Sequence, residues 1–355
     1  MPAAIVTGSG GLIGSEAVRH YAAHGFDVIG VENDMRARFF GPEASTASVT
    51  EALSAEVDGF RSVDLDIRDG DGVMSLFAEA SAIEIVVHAA AQPSHDWAAS
   101  DPQVDFGVNA TGTMNLLEAT RRHAPGATFA FLSTNKVYGD RPNHLPLEDQ
   151  GKRLELPEDH RYARGIDTSM SIDDCTHSLF GVSKAAADLM VQEYGRYFDM
   201  PTVCLRCGCL TGPTHAGARL HGFLSYLIRC TVTGEPYTIY GHEGKQVRDN
   251  LHSRDVASAI DAFHAAPRPG AIYNLGGGRA SNCSMLEAIE SCERIARREL
   301  DWTLSDEARI GDHRWWISDL GPFMADYPGW TPEYGIEEIL TEIHDDNRER
   351  WTASV

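Results

Sequence analysis

Lysine is scarce in this chain: Lys136, Lys152, Lys184 and Lys245 are the only four among 355 residues. Arginine supplies the rest of the positive charge, and 52 acidic against 30 basic side chains leave a formal net charge of −22. So negative a surface repels nucleic acid and anionic lipid, and neither is expected as a partner. No apolar run reaches the roughly 18 residues that a membrane span needs. Met1 leads straight into an apolar segment, without the basic region and apolar core of a secretory leader, so a cytoplasmic protein is expected. Internal repeats and low-complexity stretches are absent. The seven cysteines are odd in number, which argues against a disulfide framework. Cys204 and Cys207 have the spacing of half a metal site. They sit in a strand-like run, where side chains three apart point to opposite faces, and no second pair follows, so no metal is expected.

What is present is alternation. The length exceeds what one growing core supports, so two lobes are expected. Strand-like segments at 3–7, 27–32, 60–65, 84–88, 127–133 and 202–206 alternate with helix-like segments at 12–24, 72–80, 102–123 and 180–198. This rhythm implies right-handed βαβ units and an α/β fold on a parallel sheet. After about residue 207 the pattern breaks into Gly- and Pro-punctuated pieces, apart from a helix at 254–265 and a strand at 271–274. We expect a nucleotide-binding unit at 1–207 to which 251–275 returns. A smaller substrate lobe would comprise 208–250 and 276–335, with a C-terminal helix at 336–355. Residues 140–178 form an irregular polar insert, long enough to serve as a lid.

Thr7-Gly8-Ser9-Gly10-Gly11-Leu12-Ile13-Gly14 joins the first strand to the first helix. Such a turn lets the backbone approach a pyrophosphate while the helix N-terminus faces its charge, through the amides of Gly8, Gly11, Leu12 and Ile13. Glu32 closes the next strand about 20 residues on, where an acid meets the adenosine ribose. Together with Asn33 it would contact that ribose, and the negative charge of Glu32 and Asp34 would repel a 2′-phosphate. NAD is therefore the expected cofactor. Asp66 and Ile67 suit the adenine edge, and Ala89, Ala90 and Ala91 a wall kept small beside the cofactor. The bland alternative is a helix-packing turn with ordinary surface acids.

Taken with His88-Ala89-Ala90-Ala91, Asn109-Ala110-Thr111-Gly112-Thr113, Ser133-Thr134-Asn135-Lys136-Val137-Tyr138-Gly139, Ser183-Lys184 and Gln246-Val247-Arg248-Asp249, this turn resembles the extended short-chain dehydrogenases, the NAD-dependent epimerase/dehydratase family, over nearly the whole chain. The segments 133–140 and 311–319 look like its CDP-paratose 2-epimerase branch. The resemblance implies a Rossmann-type doubly wound parallel sheet with a smaller C-terminal substrate lobe. It implies NAD contacts from Asn109, Ser133 and Lys184, and a homodimer paired through the helices near 102–123 and 180–198. In that family a Ser or Thr, a Tyr and a Lys do the chemistry. Thr134 and Lys184 match two of them, but the Tyr position is Phe180, which has no proton to give or take. Loss of a general base costs about 10²–10⁴ in rate. Another group replaces the Tyr, the reaction needs less base, the protein binds without turnover, or Phe180 was introduced. Lys136 ranks first among substitutes from sequence, being two residues beyond Thr134 on what reads as an extended segment; a contact to sugar or phosphate is nevertheless the role favoured for it. Cys175, His177 and Tyr162 are further candidates.

On the substrate side, Arg248 matches the family Arg that meets nucleotide phosphates, and Arg309 and Arg314 match a second nucleotide-facing region. For each the alternative is a surface ion pair. His95, Asn135 and Lys136 are expected at the sugar, whereas His215 and His221 read as structural. The reading is an epimerase that inverts C2 of a CDP-sugar through a transient keto sugar. A 4-epimerase, a dehydratase, or an NAD-binding protein with weak or no turnover are the alternatives.

Overall fold

The computed structural model describes residues 1–214, 222–305, 307 and 311–353. The chain forms two compact units. The first comprises Met1–Val137, His177–Arg206 and Val256–Tyr273, and the second Tyr138–Thr176, Cys207–Asp255 and Asn274–Val355. Residues 138–176, grouped above with 1–207, thus belong to the second unit.

Seven strands carry the first unit: β1 (Ala3–Thr7), β2 (Asp27–Val31), β3 (Phe60–Val63), β4 (Ile83–His88), β5 (Thr128–Thr134), β6 (Thr202–Cys207) and β7 (Ala271–Leu275). They form one parallel sheet in the order β7-β6-β5-β4-β1-β2-β3, the doubly wound arrangement expected. Chain order reverses between β1 and β4, and in such sheets ligands bind beyond the carboxyl ends of the strands at that point. All five residues of β1 are buried, as are the last four of β2 and of β4. Helices covering both faces bury parallel strands on each side, so these strands read as continuous apolar runs. The helices that position the site are α1 (Leu12–Ala23), α2 (Gly112–His123) and α3 (Leu179–Phe198). Ile5, Ile29, Val86, Leu116, Phe129 and Val191 are among the core residues of this unit.

Element ends agree with the sequence reading to within two residues, but the helix expected over 102–123 is not continuous. Pro102–Phe106 is α-helical, Gly107–Thr111 is a π segment, and only then does α2 begin. Such bulges recur at functional sites, and here the bulge holds Asn109. Three further α-helices of this unit, Met35–Phe40, Ala47–Glu56 and His95–Ser100, were not read from sequence.

The second unit packs the helices Phe223–Thr233, Met285–Ala296 and Ile336–Ala353 around Leu227, Ile228, Ile289, Ile339 and Leu340. Strand Val247–His252 pairs with Cys209–Thr211, Asn282–Ser284 and Trp315–Trp316. The expected lid is tied into this unit. Leu154, Leu156, Tyr162, Ile166 and Met170 are buried. Ile166 N–H donates to Ile317 O (2.7 Å), and Ile166 O accepts from Asp319 N–H (3.0 Å). No described helix is long and apolar enough to cross a membrane.

Candidate functional site

The turn after β1 is shaped by the lack of side chains. Gly8 has φ +67°, and a Cβ there would come within 2.9 Å of the Ala90 backbone; one on Gly14 would stand 2.0 Å from Gly8 O. The turn therefore closes tightly, Gly11 N–H donating to Gly8 O (2.9 Å), and α1 starts at Leu12 with its first amides outside the helical ladder. Ile13 is buried, and Leu12 half-buried. The Glu32 carboxylate bridges this turn to the end of β2. Its Oε2 accepts from Gly10 N–H (3.0 Å), and its Oε1 from Asn33 N–H (3.0 Å) and Asp34 N–H (2.9 Å). Burial alone would raise the Asp34 pKa, yet hydrogen bonds from Ser45 and Thr46 hold it below the ordinary value. Asp34 thus pins the loop at 45–46 instead of projecting outward. Asp66 is gripped by Arg68, whose Nε and Nη2 donate to it at 3.0 and 2.6 Å, and this pairing lowers its pKa. Ile67 is buried beside it. A tight glycine turn, an open helix N-terminus and a carboxylate at the β2 end fit a dinucleotide lacking a 2′-phosphate.

Beyond β4 the backbone is fixed by His88. Thr113 gives its hydroxyl hydrogen to Asn109 O (2.6 Å) and so accepts from His88 Nε2–H (2.9 Å). His88 Nδ1 then accepts from the Thr7 hydroxyl (2.7 Å), which accepts from Ala90 N–H (3.2 Å). Burial, aided by the charge of Lys184, pushes the His88 pKa down to about 3, so the ring is neutral and serves as a spacer for Ala89–Ala91. Next comes a buried network of which the sequence motifs contained only Asn109 and Ser183. Gln92 donates to Asp105 Oδ1 (2.7 Å) and Ser94 O (2.9 Å), and its Oε1 accepts from Ser94 N–H (2.6 Å). Asn109 accepts from Gln92 N–H (3.0 Å) and donates to Ser183 Oγ (3.0 Å). Gln92 and Asp105 occur in no motif, so only their burial in the fold reveals them.

At the end of β5 and the start of α3, Lys184 is buried. Its ammonium donates to Leu132 O (2.8 Å) and lies 4.1 Å from the centre of the Phe131 ring. Phe180, one turn earlier, packs edge-to-face on the His95 imidazole with centroids 5.1 Å apart. His95 Nδ1 is 2.7 Å from Ser178 Oγ, and Ser178 caps α3 by accepting from Gly181 N–H (3.1 Å). Thr134 closes β5 and its hydroxyl accepts from Lys136 N–H (3.2 Å). This bond starts a 3₁₀ turn over Asn135–Tyr138, so the extended alternation that was to put Thr134 and Lys136 on one face ends at Thr134. Asn135 is buried. Ser133 is committed elsewhere: it donates to Asp188 Oδ2 (2.6 Å), which is also bound by Arg206. His177 Nε2–H donates to Val137 O (2.7 Å).

In the second unit, Arg248 lies 3.7 Å from Asp312 and donates to Val247 O (2.9 Å). Asn143 clasps the neighbouring loop, donating to Asp312 O (2.9 Å) and accepting from Arg314 N–H (2.7 Å). The Arg314 Nε is buried with no hydrogen-bond partner among the described residues. Burial and the charges of Arg314 and Arg248 lower the pKa of His242, so the three basic groups share one neighbourhood. Tyr162 is buried in this unit, and burial raises the Cys175 pKa. Arg309, His215 and His221 lie outside the described residues.

Residues 4–276 match the NAD dependent epimerase/dehydratase family. The chain belongs to this family. The family's cofactor is NAD, which agrees with the geometry of the turn and of Glu32. The chain is 27% identical over 360 residues to CDP-paratose 2-epimerase of Salmonella typhi, with 99% of each chain covered. It is 28% identical to a dTDP-glucose 4,6-dehydratase of Escherichia coli, covering 94% of this chain and 89% of the relative. Among solved structures, UDP-glucose 4-epimerase of Thermus thermophilus in complex with NAD superposes with a TM-score of 0.76. It shares 25% identity over 99% of this chain and 100% of that one.

Proposed function

We propose that this protein is an epimerase that inverts C2 of a CDP-linked sugar through a transient keto sugar. The observation that carries the reading is the buried Lys184 of α3, one turn from position 180 and bonded to Leu132 O on β5, two residues before Thr134, in a unit whose first turn suits NAD. Full-length similarity to a CDP-paratose 2-epimerase supports the choice of nucleotide and carbon. The amides of Gly8, Gly11, Leu12 and Ile13 would hold the pyrophosphate, and Glu32 with Asn33 the adenosine ribose. Asp66 and Ile67 would border the adenine, and Ala89, Ala90 and Ala91 the middle of the cofactor. Asn109, Ser133 and Lys184 would serve the nicotinamide end; of these, Ser133 would act through Asp188 and the backbone of β5. NAD held there would supply the acceptor for a hydride from the carbinol carbon and its return to the opposite face.

Thr134 donates a hydrogen bond to the reacting oxygen. Lys184 supplies the positive charge that favours a developing alkoxide. Arg248 and Arg314 take the diphosphate, and the partnerless Arg314 Nε supports that assignment. His95, Asn135 and Lys136 are assigned to the sugar. A homodimer goes with this reading. Leu179, Val182 and Leu189 are exposed at helical spacing along α3, and Phe106 and Met114 are exposed near α2, which gives a second copy an apolar stripe to cover.

The test is to incubate the purified protein with CDP-, UDP- and GDP-sugars and read the products by NMR. A C2-inverted CDP-sugar is expected. A 4-inverted or dehydrated product would replace this reading with the one that similarity to the dTDP-glucose 4,6-dehydratase supports. No product from any sugar would leave a binding protein, as Phe180 permits.

A further inference from the structure

We propose that His95 is the acid–base residue of the reaction, its imidazole taking the part that the family resemblance gives to a Tyr at position 180. The inference rests on the epimerase reading and deepens it. Phe180 supplies a buried ring without a hydroxyl, and the group packed on that ring is the imidazole of His95, 5.1 Å away centroid to centroid. Of the other substitutes in the first unit, Lys136 is turned out of the β5 alternation by the 3₁₀ turn, and His177 is held on Val137 O through its Nε2–H, with Nδ1 left as its basic nitrogen; His95 is preferred to it because the His95 ring is packed on Phe180.

The hydrogen bonds around His95 suit a proton carrier. A serine hydroxyl has two lone pairs. At Ser178 one accepts from Gly181 N–H (3.1 Å), which leaves the other able to accept from Nδ1–H of His95 (2.7 Å), the tautomer the proposal requires. With the Nδ1 proton so placed, Nε2 carries the lone pair that takes a proton. The bond to Ser178 is the same before and after protonation, so the ring need not move during the reaction. The segment that carries His95 is also fixed. Gln92 holds Ser94 through both its amide ends, and Gln92 is bound by Asn109, which donates to Ser183 on the helical turn between Phe180 and Lys184. One network therefore sets His95 relative to Phe180 and Lys184.

In the step itself, the proton of the sugar hydroxyl passes to Nε2 while the hydride of the same carbon passes to bound NAD⁺, and a carbonyl forms. On return, the imidazolium gives the proton back to the oxygen as the hydride comes back to the other face. Nothing is consumed.

The test compares wild type, His95→Gln, His95→Asn and the double variant His95→Gln/Phe180→Tyr. The readouts are turnover of the nucleotide sugar that wild type converts, calorimetric affinity for it, NAD content after denaturation, and thermal unfolding. Both single variants are expected to lose about 10²–10⁴ in kcat, a larger loss than any in affinity, while keeping NAD content. In the double variant the new phenol, one turn from Lys184, should recover part of that loss. If wild type turns over and either folded single variant keeps its kcat, the inference falls while the epimerase reading stands. If wild type converts no nucleotide sugar, the reading falls and takes the inference with it.

Discussion

Glu32→Ala removes the acceptor for three backbone amides at once, those of Gly10, Asn33 and Asp34, at 2.9–3.0 Å. A hydrogen bond to a charged acceptor contributes roughly 1.5–3 kcal/mol net. Glu32 is only half-buried, so water replaces part of the loss, and the expected destabilisation is ~2–4 kcal/mol for the three together. For a chain of this size, with an unfolding entropy of about 2.1 cal/mol/K per residue, that lowers the unfolding temperature by roughly 3–5 °C. The second effect is on the cofactor. Gly10 lies in the phosphate turn, so releasing its amide loosens the turn, and removing the carboxylate abolishes repulsion of a 2′-phosphate. The variant should purify with much less NAD, and its preference for NAD over NADP should narrow. Glu32→Gln, which keeps one acceptor oxygen and loses the charge, should fall between. The assays are scanning calorimetry and identification of the nucleotide released on denaturation. A Glu32→Ala protein that unfolds at the wild-type temperature and retains its full NAD content would refute this account of the turn.

Arg248→Ala should weaken nucleotide-sugar binding by ~2–4 kcal/mol, because a phosphate loses a charge-assisted partner, while NAD content stays unchanged; calorimetry reads both. Asp249 is fully buried, and burial pushes its pKa from the ordinary 3.8 up to about 6 against hydrogen bonds from Ser318 and Gly278. An acid whose folded pKa is raised favours the fold when protonated. The resulting roughly 3 kcal/mol is therefore present below pH ~4 and lost as pH rises through about 6. Asp249→Asn cannot ionise, so its stability relative to wild type should improve between pH 4 and pH 8, and equal pH dependence of the two unfolding curves would refute it. Light scattering should give a dimer mass at micromolar concentration, and Leu189→Glu should shift it toward monomer.

The parallel sheet was legible because βαβ alternation and buried strands leave continuous apolar runs, as in Ala3–Thr7. The cofactor turn was legible because steric demand at Gly8 and Gly14 dictates residue type locally. The network of Gln92, Asp105, Asn109 and Ser183 was not, because its members are scattered along the chain and meet only through the π segment and α3. The extended segment expected through Lys136 was misread for a local reason: a hydroxyl at Thr134 accepts the amide two residues on and ends the strand. Likewise, the long insert read as a loop because its anchors, such as Ile166 on Ile317 and Asp319, are distant in sequence.

The measurement that bears most directly on the central claim is the fate of the hydrogen at the inverted carbon. The protein is incubated with the CDP-sugar in heavy water and the product is read by NMR. Hydride removal to NAD and its return to the other face predict inversion at C2 with no deuterium at that carbon. Deuterium incorporated there would mean deprotonation beside a carbonyl, and would contradict the account whatever residue carries the proton.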